Sequence, residues 1–265
     1  MIFDQLPELL PHISDIARSA GHAIMEVYES GDFDVTYKDD DSPLTLADKL
    51  SHEIIAAGLA QLTPDIPIIS EEGSSIPYEE RKNWDTFYLV DPLDGTKEFV
   101  KRNGEFTVNI ALIDRGRPAL GVIYVPVGDV LYSAAEEQGA YKTERENAPV
   151  KMDTSGLTAS NELTIVASRS HGSDALEAYL KGLDVGEIVS AGSSLKFCLV
   201  AEGKADLYPR FGPTWEWDTA AGHAIVLEAG GRVISTDGND ELEYNKEILK
   251  HKGFIVGSAV MIESL

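Results

Sequence analysis

The chain has 265 residues and carries 45 Asp plus Glu against 22 Lys plus Arg, a formal net charge of −23. With 43% apolar and 25% charged residues it has a globular composition, long enough for one large α/β unit or two packed halves around a sizeable core. Such acidity argues against a nucleic-acid polymer or an anionic membrane as the main partner, because long-range repulsion opposes both, but a small anion held by local cations or metals remains compatible.

Apolar positions Leu6, Leu9, Leu10, Ile13, Ile16, Ala17, Ala20, Ile24, Val27 and Tyr28 recur at steps of three and four, which predicts a helix over the first 30 residues, with Pro7 and Pro11 tolerated near its start. Phe33 to Lys38 alternates as a short strand, and Asp39-Asp40-Asp41-Ser42-Pro43 reads as a solvated turn. Thr45 to Leu62 predicts a second helix that stops at Thr63-Pro64. Two short apolar runs follow: Pro67 to Ser70, ending in Glu71-Glu72-Gly73, and Phe87 to Val90, ending in Asp91-Pro92. Both read as buried strands with carboxylates at their C-terminal ends. From Phe106 to about Tyr141 the runs FTVNIALID, GVIYVP and VLYSAAEE, separated by turn residues, suit antiparallel pairing. Polar residues from Lys142 to Asn161 mark the expected boundary between two halves, 1–145 and 146–265, which are expected to work as one unit. Beyond it LTIVAS, EIVSA, ADLYP, GRVIS and FIVGS alternate with helices near Ser173–Leu183, Ser193–Glu202 and Thr219–Ala229, predicting a second sheet with helices packed on it.

The only cysteine, Cys198, excludes an intrachain disulfide and fits a reducing cytosol. The start MIFDQLPELLPH has no secretory pattern, and no run approaches the roughly 18 apolar residues of a membrane span. A cytoplasmic location is expected, with peripheral attachment at the inner membrane left open.

Glu71, Asp91, Asp94 and Asp218 sit at element ends, where surface charge is unusual. Each has a plain reading alone; Asp218, at the head of an apolar helix, reads as an N-cap worth about 1 kcal/mol. Together they suggest a hard-cation site, because Mg²⁺ prefers oxygen ligands; zinc is disfavoured by the lone buried-type Cys and the absence of a His pair at metal spacing. In Asp91-Pro92-Leu93-Asp94-Gly95-Thr96 two carboxylates three residues apart flank a stiffened turn, and Gly95 permits close approach of backbone to an anion. Carboxylates, metals and a phosphate seat describe a metal-assisted phosphatase.

The blocks DSPLTLAD (41–48), SEEG (70–73), VDPLDGTKEF (90–99), AGSSLKFCLVAEGKADLYPR (191–210) and EWDTAAGHAIVLEAGG (216–231) resemble the inositol monophosphatase superfamily, in its order and over nearly the whole chain. Lys196, LYPR and SRSH (168–171) are most similar to its CysQ-type 3′(2′),5′-bisphosphate nucleotidases. The resemblance implies a layered α/β (α+β) fold of alternating helix and sheet layers, the sugar-phosphatase fold of that superfamily. It implies hydrolysis of the 3′-phosphate of adenosine 3′,5′-bisphosphate (PAP) to AMP and phosphate, with PAPS as a further substrate, in the clearance of a by-product of sulfate assimilation. It also implies two or more Mg²⁺ per site and lithium sensitivity. By residue, it implies Glu71, Asp91 and the Leu93 carbonyl on one Mg²⁺, and Asp91, Asp94 and Asp218 on a second. Asp48 and Thr96, with Glu71, would activate the water, and Gly95 and Thr96 would hold the scissile phosphate. Lys196 and Arg210, supported by Ser194 and His171, would bind the second phosphate, with Asp218 also against substrate.

The plainer readings are an exposed Asp48 with Thr45 as helix N-cap, a solvent-facing Lys196 behind an N-cap at Ser193 or Ser194, a core Cys198, and Trp215 and Trp217 either packed or lining a base pocket. His12, His22, His52 and His251 have no motif context. The alternatives are an inositol monophosphatase or other sugar-phosphate phosphatase, a haloacid-dehalogenase-type enzyme with Asp91 as covalent nucleophile, and a calcium-binding or acidic interaction protein. An extra residue between the acids disfavours the second, and the missing D-x-D-x-D-G pattern the third.

Overall fold

The computed structural model describes residues 2–31, 33–37, 43–154, 162–168, 174–238 and 240–265. Helix α1 (Leu6–Ser30) carries its periodic apolar face into the interior and ends at Gly31 in the left-handed region. The strand expected over 33–38 is reduced to β1 (Thr36–Tyr37), paired with β2 (Pro43–Leu44); Lys38 and the acidic turn 39–41 lie outside the described residues. Helix α2 (Leu46–Leu62) follows, with Thr45 as its N-cap.

A seven-stranded sheet comes next in simple chain order: β3 (Ile68–Ser70), β4 (Thr86–Asp94), β5 (Thr107–Asp114), β6 (Arg117–Val125), β7 (Val130–Ala135), β8 (Gly139–Glu144) and β9 (Val150–Met152). Only β3 and β4 run parallel, joined through the short helix α3 (Tyr78–Arg81); every other neighbouring pair is antiparallel. The helical turn α4 (Thr96–Val100) lies between β4 and β5. The division expected at 145/146 falls between β8 and β9, two hydrogen-bonded strands of this sheet.

The second sheet has the order β11-β10-β12-β16-β14, built from β10 (Leu163–Ala167), β11 (Val185–Ser190), β12 (Leu207–Arg210), β14 (Gly231–Ser235) and β16 (Phe254–Ser258). Helices α5 (Asp174–Leu180), α6 (Leu195–Ala201), α7 (Glu216–Glu228) and α8 (Ala259–Glu263) complete the chain, and β13 (Thr214–Trp215) pairs with β15 (Lys250–His251) beside the head of α7.

Burial explains the layering. Along β4, Tyr88 and Val90 join Leu6, Ile13, Ile24, Ile55 and Leu59 of α1 and α2, while Phe87 and Leu89 join Phe197, Ala221, Ile225 and Val256 on the other face. A sheet buried on both faces needs unbroken apolar strands, which is why FYLV and TVNIALI do not alternate. Helix α7 lies against β5 and β6 on one side and β14 on the other. Gly121 permits this approach: a Cβ there would stand 2.4 Å from the Ala221 carbonyl oxygen. A smaller cluster, Leu163, Ile165, Leu207, Ile255, Met261 and Ile262, lies between the second sheet and α8. The result is the expected series of alternating helix and sheet layers.

Candidate active site

Parallel pairing sets Ser70 beside Val90, so the next residues, Glu71 and Asp91, emerge together from the same end of the sheet. The Glu71 amide donates to the Val90 carbonyl at 3.0 Å and carries the pairing one step further. Beyond Asp91 the strand does not end, as the proline suggested, but continues to Asp94 through a bulge: Asp91 opposes Asn109 and Asp94 opposes Thr107. Three residues on β4 thus match two on β5. Regular alternation would put Asp91 and Asp94 on opposite faces; one extra residue returns them to the same side. The Leu93 amide donates to Asp91 Oδ1 at 3.1 Å, and Ser51 Oγ donates to the Pro92 carbonyl at 2.6 Å, fixing the bulge from within and from α2.

Asp218 reaches the site from α7. That helix begins three residues before the expected Thr219, so Asp218 is the third residue of its first turn rather than the N-cap; its carboxylate accepts the Trp215 N–H at 3.2 Å. One carboxylate oxygen each from Glu71, Asp91 and Asp218 lie within 4.8 Å of one another. Asp94 stands next to them, accepting from Ser194 Oγ at 2.8 Å.

Burial first, then repulsion from Glu71, Asp94, Asp218 and Asp48, pushes the Asp91 carboxyl well above its ordinary value. Asp218 is raised in the same way, by burial and then by Asp94 and Glu71. Burial also raises Asp94, although Lys196 and the Ser194 hydroxyl oppose it. Carboxylates crowded together in a buried site, with all-oxygen donors, fit a hard divalent cation that would replace the missing positive charge. Among the described residues this is the one cluster with metal-ligand spacing, and it defines a single candidate Mg²⁺ site.

Asp48 is 2% exposed, not a surface residue. It occupies the third position of α2, where its Oδ2 accepts from the Thr45 amide at 2.7 Å and from the Thr45 hydroxyl, and its Oδ1 accepts from Thr96 Oγ at 3.1 Å. The Thr45 cap and the buried Asp48 are therefore one device: the capping geometry aims the carboxylate at Thr96. Gly95 precedes α4 with φ of +92°, in the left-handed region that favours glycine.

A cavity of about 300 Å³ adjoins the carboxylates, lined by Asp94, Gly95, Lys97, Ser194, Lys196, Arg210 and Asp218 among others. Lys196 is 6% exposed, which overturns the solvent-facing reading. Its ammonium donates to the Ala191 and Ser193 carbonyls and lies 5.4 Å from the Tyr208 ring centroid. Burial lowers its pKa, opposed by Asp94. Arg210 is partly exposed, with Nε 3.3 Å from Thr214 Oγ. His171 lies outside the described residues.

Sequence reasoning missed three groups. Asn109 and Thr107 are buried beside Asp94, and their signal was present as polar letters in an otherwise apolar strand. His52, one turn after Asp48, meets Ser70 Oγ at 2.9 Å. Lys97, a cation on the cavity wall, was hidden among ordinary surface charges. Trp215 and Trp217 stack at 4.7 Å, and the Lys250 ammonium lies 3.8 Å from the Trp215 ring centroid. Cys198 is buried in the core, as expected.

No helix among the described residues is long and apolar enough to cross a membrane. The sequence profile of the inositol monophosphatase family matches residues 5–264. The 3′(2′),5′-bisphosphate nucleotidase CysQ of Escherichia coli O157:H7 is 51% identical over 250 residues, covering 94% of this chain and 99% of that protein. The protein of the same description in Haemophilus influenzae is 33% identical over 250 residues, covering 94% of this chain and 92% of the relative. Among solved structures, CysQ from Bacteroides thetaiotaomicron superposes with a TM-score of 0.81 at 46% identity, covering 93% of this chain and 96% of that one. An inositol monophosphatase from Anabaena shares the fold at 23% identity and a TM-score of 0.78, covering 98% of this chain and 94% of that one. The chain belongs to the inositol monophosphatase family, in its CysQ-type 3′(2′),5′-bisphosphate nucleotidase branch.

Proposed function

We propose that the chain is a Mg²⁺-dependent phosphatase that removes the 3′-phosphate of adenosine 3′,5′-bisphosphate, leaving AMP and phosphate. The observation that carries this reading is the oxygen cluster of Glu71, Asp91 and Asp218 around the buried Asp91, with Asp94 and Asp218 sharing one cavity with Lys196 and Arg210. Half-identity to relatives named as 3′(2′),5′-bisphosphate nucleotidases supports the substrate class.

On this reading Glu71, Asp91 and the Leu93 carbonyl would hold one Mg²⁺, and Asp91, Asp94 and Asp218 would hold a second. Bound Mg²⁺ supplies charge that gathers the phosphate oxygens, acidifies the attacking water and offsets the charge developing on the leaving oxygen. The chain's own groups do the rest. The Thr96 hydroxyl has two acceptors in reach, Asp48 Oδ1 at 3.1 Å and the Leu93 carbonyl at 3.3 Å; with its proton on Asp48, the nearer and the charged one, its lone pairs face the water as acceptors. Asp48, held at both oxygens, draws the water's proton through Thr96, and Glu71 orients the water from the other side. Gly95 and Thr96, which open α4, seat the scissile phosphate. Arg210 faces the second phosphate, while Lys196 holds the Ala191–Ser193 loop and adds its charge from beneath. The two halves act as one unit: residues 1–145 provide the water side and most of the metal ligands, and 146–265 provide Asp218, Lys196 and Arg210.

The test is the ratio of kcat/KM for adenosine 3′,5′-bisphosphate to that for inositol 1-phosphate, with Mg²⁺. A ratio well above one supports the nucleotidase reading. A ratio below one replaces it with a sugar-phosphate phosphatase that uses the same metal site.

A further inference from the structure

Asp94 is tied to the floor of the site by a chain of buried hydrogen bonds whose directions follow from chemistry. Thr107, Asn109 and Ser194 are exposed by 0%, 1% and 2%. One end of the Asn109 amide meets Thr107 Oγ at 2.9 Å; the other meets Ser194 Oγ at 2.8 Å and Asp94 Oδ2 at 3.4 Å. A carboxylate only accepts, so the end facing Asp94 is the NH₂ and the end facing Thr107 is the carbonyl, which Thr107 must supply with its proton. Ser194 accepts from Asn109 and therefore spends its own proton on an acceptor, Asp94 Oδ2 at 2.8 Å or the Asp218 carbonyl at 3.0 Å.

We infer that Asn109 is a positioning residue for cation binding: it fixes the Ser194 hydroxyl and, through it, the Asp94 carboxylate. Asp94 is the one acidic residue of the four that does not fall within the 4.8 Å cluster, and it is the one held by this relay. The relay turns two donors toward Oδ2, the Ser194 hydroxyl at 2.8 Å and the Asn109 amide at 3.4 Å, and so favours one orientation of the carboxylate before any cation arrives. Partners of this kind behind a ligand change metal affinity by about 10–100-fold when removed. The inference rests on Asp94 acting as a cation ligand and is independent of which phosphate ester is hydrolysed.

The experiment is calorimetric titration of the metal-free, full-length protein with MgCl₂ alone, for the wild type, Asp94→Asn, Asn109→Leu, Thr107→Val and Thr107→Ser. Asn109→Leu is expected to weaken the Asp94-dependent binding about 10–100-fold, Thr107→Val several-fold, and Thr107→Ser not at all. Melting in chelator separates this from damage to the fold, because a merely structural role lowers the melting temperature and leaves Mg²⁺ affinity in place. If Mg²⁺ binding needs Asp94 but ignores Asn109→Leu, this inference is wrong and the cation assignment stands. If binding ignores Asp94→Asn, both fall. Should Asn109→Leu fail to fold, the threonine pair decides: equal affinities for Thr107→Val and Thr107→Ser overturn the relay.

Discussion

Asp91→Asn separates the two demands on the site, because the same substitution should help the metal-free fold and abolish the chemistry. Asp91 is 2% exposed, and its ligand oxygen lies within 4.8 Å of those of Glu71 and Asp218. Two unit charges at that spacing repel by about 3.5 kcal/mol at an effective dielectric constant of about 20. Proton uptake relieves part of this, since the Asp91 carboxyl is raised well above its ordinary value by burial and by its acidic neighbours. An asparagine keeps the acceptor for the Leu93 amide and removes the charge. The metal-free variant should therefore be more stable than the wild type by about 2–3 kcal/mol near neutral pH, or about 4–12 °C in melting temperature. The sign of the pH dependence follows from the same shift. A carboxyl whose pKa is higher folded than unfolded binds its proton better in the folded state, so the stability it contributes is complete below the unfolded value and declines as pH rises through the folded one. Wild-type protein in chelator should lose stability from mildly acid to neutral pH; Asp91→Asn should flatten that slope, and saturating Mg²⁺ should reverse it in the wild type only. Turnover of the variant should fall by several orders of magnitude. Thermal melts in chelator across this range, paired with steady-state rates, measure both effects. A variant that melts below the wild type in chelator, or turns over normally with Mg²⁺, refutes the reasoning.

Thr96→Ala and Asp48→Asn should each lower kcat with little change in KM, and the double variant should lose little more than the worse single, as groups working as a unit do; additive losses would detach Asp48 from the water. Arg210→Ala should cut kcat/KM for adenosine 3′,5′-bisphosphate about tenfold or more while sparing inositol 1-phosphate, since one charge-assisted phosphate contact is worth about 1.5–3 kcal/mol. Lys196→Met should instead depress both substrates together and lower the melting temperature, because it strands two loop carbonyls in a buried place. Gly121→Val should destabilise the fold and weaken Mg²⁺ binding, because its Cβ would meet the backbone of the helix that carries Asp218, checked by melting and metal titration.

The carboxylates are legible because charge at the ends of apolar runs is hard to explain otherwise, and the alternation of runs and helices in the second half gives a second sheet with helices packed on it; the layered fold as a whole comes from the resemblance of the motif blocks to the inositol monophosphatase superfamily. What was not legible depends on neighbours distant in sequence. Asp48 and Lys196 looked solvent-facing because helix periodicity says which side is polar but not that a polar side faces a site. Helix α7 lies between two sheets, so its apolar sequence masks its start, and Asp218 taken alone reads as a cap where the structure makes it a third-position residue. Pro92 suggested a turn that ends β4; the strand runs through it, and the bulge that aligns Asp91 with Asp94 exists only against the register of β5. Asn109 and Thr107 stand out as polar letters in a buried strand, but the partner that gives Asn109 its place, Ser194, lies 85 residues away.

On the proposed function, the carboxylate cluster around Asp91 uses Mg²⁺ to remove one particular phosphate from a bisphosphorylated nucleotide. Phosphorus NMR of adenosine 3′,5′-bisphosphate incubated with the protein tests it directly. The account predicts loss of the 3′-phosphate resonance, with 5′-AMP and inorganic phosphate accumulating in equal amounts, and arrest when Mg²⁺ is chelated. Formation of 3′-AMP, or turnover that continues in chelator, would contradict it.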